Sequence, residues 1–235
     1  ALSAARARPT VIPAADPAAA GPVGDARRRG TALVRTVAAL GAVMALAGME
    51  HGIGELAQGN VAPPGTFIQS WPDAEAFRVL SGEPAMTVVP NMLATGVLAI
   101  VSSACVLVWA TAFAHRPGGG VVLILLSLSM LLVGGGIGPP LIGVLLGAAA
   151  TRIGTPLPWW RARLRDPARR WLAAGWVPLL AADVAAWLSL LLSVAVVGQL
   201  FGAGAVPEWL VYGLMAAAFV LLPFALIAAV ARDLS

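Results

Sequence analysis

Leu131-Leu-Val-Gly-Gly-Gly-Ile-Gly-Pro-Pro-Leu141 is the stretch whose reading decides the fold. It interrupts an apolar run from 121 to 150. As one helix that run would be about 45 Å long, against a bilayer hydrocarbon core of about 30 Å. Gly134, Gly135, Gly136 and Gly138 loosen the backbone, while Pro139 and Pro140 lack the N–H groups that a continuing helix needs. The run therefore divides into segments 119–135 and 139–151, a hairpin of two short or broken apolar segments that either crosses the membrane or dips in and returns.

Four further apolar stretches flank this hairpin, at 31–54, 91–114, 171–200 and 208–231. Six membrane segments also satisfy the charge distribution. Arg27 to Arg29, Arg116, the six arginines of the loop 151–170 and Arg232 then share one face. The loop 55–90, with Glu55, Asp73, Glu75 and Glu83 against Arg78, lies on the other. Cytoplasmic loops carry the excess of basic residues, so the arginine-rich face reads as cytoplasmic, with both termini on it. Five crossings would force the most basic loop to be translocated. The expected fold is an all-α, polytopic transmembrane helical bundle of about six segments.

Composition agrees. Of 235 residues, 59% are apolar and 11% charged, with a mean hydropathy of +0.87. A soluble domain averages about 25% charged residues. This chain cannot coat a water-exposed surface, and it is too apolar to be disordered as a whole. A single cysteine, Cys105, excludes an internal disulfide and a cysteine-rich metal site. All fifteen basic residues are arginine, which with the alanine and glycine content reads as a GC-rich bacterial source. The pI near 10.9 rests on only 26 charges and does not point to nucleic acid. The expected partners are the lipid bilayer and a second copy or a membrane partner protein, and no cofactor is implied.

Residues 1–30 read as a disordered, basic cytoplasmic tail. They hold prolines and arginines and no apolar run of the length a secretory signal needs. Residues 31–235 form the membrane domain. Within its outer loop, Ser70-Trp-Pro-Asp73 resembles a helix start with Ser70 as N-cap. Trp71, Ala74, Phe77 and Leu80 then share one face, so 71–81 is expected as a short amphipathic helix on the bilayer surface.

Two constellations bear on chemistry. Asp183 sits twelve residues into the fifth segment, roughly 18 Å deep by helical rise. A carboxyl at that depth costs several kcal/mol unless it is neutralised, paired or hydrated, and such residues commonly mark ion or proton sites. Its bland alternative is a protonated group bonded to Ser102 or Ser103. The second constellation is Glu50, His51 and Glu55 within Gly48-Met-Glu-His-Gly-Ile-Gly-Glu55. His51 and Glu55, four apart, share a helical face and would form a proton relay or cation site at the outer mouth. Against that stands plain exposure to water at the interface. A metal is not expected, because no third ligand lies nearby in sequence and no H-E-x-x-H spacing occurs. Haem is less expected still, because His51 and His115 lie at opposite membrane faces and cannot ligate one iron from both sides. The break Gly134, Gly135, Gly136, Pro139 and Pro140 is either a tight outer turn or exposed backbone at a substrate site.

The segments Gly48 to Glu55, Gln58-Gly-Asn60, Glu83-Pro-Ala-Met-Thr87, Pro90-Asn91 and LLVGGGIGPP together resemble an uncharacterised family of small bacterial polytopic membrane proteins with no assigned activity. That resemblance spans roughly residues 48–140 and implies a bacterial inner-membrane location, but no catalytic residue. The sequence thus favours a small permease or channel-like protein handling protons or a small solute. An accessory or sensor protein acting through its outer loop and helix faces is the alternative. An enzyme ranks third, since no catalytic pair is visible.

Overall fold

A computed structural model describes residues 31–72, 82–193, 197, 201 and 206–235. The tail 1–30 and most of the expected amphipathic helix 71–81 lie outside the described residues. Helix α1 runs Thr31–Gln58, and a two-stranded antiparallel sheet follows, β1 Phe67–Gln69 with β2 Pro84–Met86. Helix α2, Met92–Val108, continues into a π-helical turn at Trp109–Phe113. The hairpin is α3 Gly119–Leu132 and α4 Gly138–Ala150. A short α5 at Pro158–Arg163 precedes α6, Asp166–Leu192, and α7, Glu208–Leu234.

The chain is an all-α helical bundle, as its composition requires. Four helices are long and apolar enough to cross a membrane: Ala32–Gln58, Met92–Phe113, Asp166–Leu192 and Glu208–Leu234. Helices α3 and α4 have 14 and 13 residues, roughly 20 Å each, and fall short of the bilayer core alone. The break lies where the glycines and prolines placed it. Gly134 and Gly136 take positive φ, at 96° and 79°, and the adjacent prolines fill the first turn of α4, where their missing N–H groups cost nothing.

Three boundaries differ from the sequence reading. Helix α1 persists four residues past Gly54, so Glu55 belongs to the helix and not to the outer loop. Gly48, Gly52 and Gly54 do not break it, because each admits a neighbour that a methyl group would displace. Gly52 faces Ile100 and the Gly96 carbonyl on α2, and Gly54 faces Ser70 and the Trp71 ring. The basic loop is also partly helical, with α5 inside it and α6 starting at Asp166. Finally, the outer loop carries the small sheet, which no alternating pattern announced.

Hydrogen bonds fix the relative directions of the helices. The Asp233 carboxylate, near the end of α7, accepts from the backbone N–H groups of Ala32 and Leu33 at 2.9 and 3.0 Å. An anion on the free N–H groups of a helix start is favourable by about 0.3–1 kcal/mol. The start of α1 and the end of α7 therefore share one end of the bundle. Trp176 Nε1 donates to Thr36 Oγ1 at 3.0 Å, both residues buried, and ties α6 to α1 near that same end. At the opposite end the turn between α3 and α4 joins the outer loop. Val88 N–H donates to the Leu132 carbonyl and Gly134 N–H to that of Met86, both at 2.9 Å.

Three helices, α2 to α4, separate Gly65 from Arg163, both exposed. In a background where the exposed Cys105 is replaced by alanine, Gly65→Cys and Arg163→Cys should label with an impermeant thiol reagent from opposite sides of the membrane. Equal labelling of both in intact cells contradicts this arrangement.

Candidate functional site

The site lies at the end of the bundle where α1, the outer loop and the α3–α4 turn meet. His51 Nδ1 is 2.9 Å from Ser70 Oγ, and that hydroxyl donates to Glu55 Oε1 at 3.1 Å. One helical turn thus sets His51 and Glu55 on the same face, and Ser70 bridges them from outside the helix. Ser70 is held there by its own backbone: its N–H donates to the Glu83 carbonyl at 2.9 Å, extending the pairing of β1 with β2. Gln58 Nε2 clamps the same segment, donating to the carbonyls of Gln69 and Ser70 at 2.9 and 3.0 Å. The Ser70 hydroxyl that the sequence suggested as an N-cap is spent on this bridge.

The hairpin register also delivers Glu83, which is 5% exposed. Its Oε2 stands 3.8 Å from His51 Nδ1, and its carboxyl interacts with that of Glu50. Burial pushes the Glu83 carboxyl well above the usual carboxylate range, and the neighbouring negative charge and hydrogen bonding of Glu50 push it the same way. Among the described residues, no arginine forms an ion pair with this cluster. Glu50 Oε1, Glu55 Oε2 and Glu83 Oε2 are buried without a hydrogen-bond partner.

The glycine turn closes over the cluster. A Cβ at Gly134 would collide with the Glu55 carboxylate, and one at Gly136 would lie 2.5 Å from His51 Nε2. Nothing larger than glycine lets this backbone approach so closely. On the remaining side a half-open cavity of about 280 Å³ reaches Glu50, His51 and Glu83. Val43 of α1, Pro139 of α4 and the Trp187–Phe219 pair form part of its apolar wall, the two rings meeting edge to face at 5.2 Å.

The structure therefore brings together Glu50, His51 and Glu55 with the backbone break, and adds Ser70 and Glu83. His51 and Glu55 are not water-exposed interface residues, being 9% and 0% exposed. The third metal-type donor, missing from local sequence, arrives from 32 residues downstream: Glu50, His51 and Glu83 each offer one ligand atom, all within 4.8 Å of one another. Asp183 stands apart. It is fully buried on α6, does not line the cavity, and neither carboxyl oxygen has a formed hydrogen bond. It interacts with Trp187, one turn on, whose ring lies in the cavity wall. Of the expected serine partners, Ser102 donates to the Ala99 carbonyl, while the buried Ser103 hydroxyl, beside Gly48, forms no hydrogen bond to Asp183 or to any other described residue.

Fold and site define an integral membrane helical bundle with a buried acid–histidine cluster under a glycine turn. No known protein family, curated protein or solved structure matches the chain, so the site is read from its own geometry.

Gly134→Ala tests the close approach. A left-handed φ costs a non-glycine residue about 1–2 kcal/mol before any collision with Glu55 is counted. Gly138→Ala, where nothing lies within 4 Å and φ is not positive, should change stability by no more than about 0.5 kcal/mol. Thermal unfolding in detergent should show a clear drop for Gly134→Ala and none for Gly138→Ala. Equal midpoints would contradict the packing.

Proposed function

We propose that the protein is a small permease of the bacterial cytoplasmic membrane, with its basic loops inside, that moves protons or a small protonatable solute. The observation that carries this reading is the half-open cavity, largely apolar in its wall and lined also by Glu50, His51 and Glu83. A transported species needs a site that it can enter from one face and that compensates its charge or polarity inside lipid. Glu50, His51 and Glu83 would supply that compensation at the outer face. Asp183, behind the Trp187 wall, would be the next protonatable station toward the bundle interior. Movement of the Trp187 ring is what would join the two.

A second reading has an observation of its own. Phe67 and Val88 are 72% and 65% exposed on and beside the outer hairpin. Large apolar side chains at that position suit contact with another membrane protein, as in an accessory or sensor role.

Proton flux separates the two. Full-length protein is reconstituted into vesicles containing a trapped pH dye, and an inward proton flow is driven by a potassium diffusion potential. The permease reading expects acidification well above that of protein-free vesicles, and a fall to the protein-free rate in Asp183→Asn. The amide keeps the size of the carboxyl and cannot carry a proton. A wild-type rate equal to that of empty vesicles would sink proton movement, and with it Asp183 as a proton station, and favour the accessory reading.

A further inference from the structure

We propose that Glu50, His51 and Glu83, which line the cavity, form a binding site for a divalent transition-metal cation of the zinc class. The inference goes beyond proton movement and does not depend on it. Its first support is the donor set: one ring nitrogen and two carboxylate oxygens, from two distant chain segments, within 4.8 Å of one another. Its second is independent of that clustering. Glu83 is 95% shielded from solvent, yet its Oε2, facing His51 at 3.8 Å, accepts no hydrogen bond, and Glu50 Oε1 is likewise buried and unsatisfied. Buried carboxylate oxygens without donors are costly unless something compensates them. A divalent cation among two carboxylates and a neutral imidazole would give a site of zero net charge.

The chemistry selects the cation class. Imidazole with carboxylates suits zinc and its first-row neighbours, whereas magnesium prefers an octahedral, all-oxygen shell that retains water. Three protein donors leave at least one coordination position free, and the cavity opens on this cluster. Such an open position is the mark of a site that meets an incoming ligand and not of a purely structural one. Ser70 Oγ lies 2.9 Å from His51 Nδ1, the nitrogen that faces Glu83, so a cation held through Nδ1 would take the place of that contact and leave the hydroxyl to Glu55.

The test uses full-length protein in lipid nanodiscs, stripped with chelator and titrated with Zn²⁺ by calorimetry, with metal content measured in parallel. Wild type should bind about one Zn²⁺ per chain, unaffected by excess Mg²⁺. Glu83→Gln, close in shape, should bind at least about tenfold more weakly, a loss seen even for outer-shell partners. Co²⁺ in place of Zn²⁺ should give visible absorption bands that change in Glu83→Gln. Asp183→Asn should bind Zn²⁺ as wild type does, so loss of proton flux and loss of metal report on different claims. Wild type without a stoichiometric site, or Glu83→Gln binding Zn²⁺ unchanged, overturns the proposal. His51→Gln provides the same comparison if Glu83→Gln does not assemble.

Discussion

Everything at the end of the bundle that holds the site depends on how closely the backbone of residues 133–137 can lie against two side chains of α1. Gly134 meets the Glu55 carboxylate and Gly136 the His51 ring at separations that leave no room for a Cβ. That approach shields the cluster from above, and it lets Gly134 N–H reach the Met86 carbonyl and so lock the outer hairpin onto the helical hairpin. The hairpin in turn sets Ser70 and Glu83 against His51. Without the approach the four polar side chains would face water or lipid singly. With it they share one enclosed space beside an apolar cavity.

The two ends of the bundle treat their charges differently. At the end where α1 begins and α7 finishes, Asp233 finds the free N–H groups of α1, and Arg169 pairs with Asp166 on the surface at 2.7 Å. Those acids are satisfied in ordinary ways. At the opposite end three glutamates and a histidine are gathered with an incomplete set of donors, and Asp183 is buried with none formed. Stability alone does not favour such an arrangement, since apolar residues of similar volume would fill the space without the desolvation cost. Unsatisfied acids in low dielectric are the places where a proton or cation has something to gain by binding.

Much of the bundle was legible in the sequence, because lipid imposes length and hydropathy on each segment. The apolar runs gave the helices, and the glycine–proline break gave the hairpin. Gly48 with Gly52 and Gly143 with Gly147 are glycine pairs four apart among 26 glycines, and each of the four admits a neighbouring helix or side chain. The site was half legible. His51 and Glu55 share a face by helical spacing, and Asp183 declared itself by polarity within an apolar run. Glu83 did not, because its position is set by pairing across the outer hairpin, for which three-residue strands leave no periodic signal. Nor could the sequence show that the glycine turn and the His51 segment, some 80 residues apart, are two walls of one site. The small sheet was missed for the same reason.

The contact between His51 and Glu83 is the point at which these elements converge, and it can be measured in a bilayer. Solid-state NMR on protein carrying ¹⁵N-histidine and ¹³C-carboxyl glutamate, with Glu50→Gln and Glu55→Gln removing the neighbouring signals, reports the distance from the His51 ring to the Glu83 carboxyl. Strong dipolar dephasing, in keeping with a nitrogen–oxygen separation of 3.8 Å, is the expected result. Loss of that dephasing on Glu83→Gln would complete the assignment. A His51 ring that shows no coupling to Glu83 in the otherwise folded protein would contradict the enclosed cluster, and with it the site built around it.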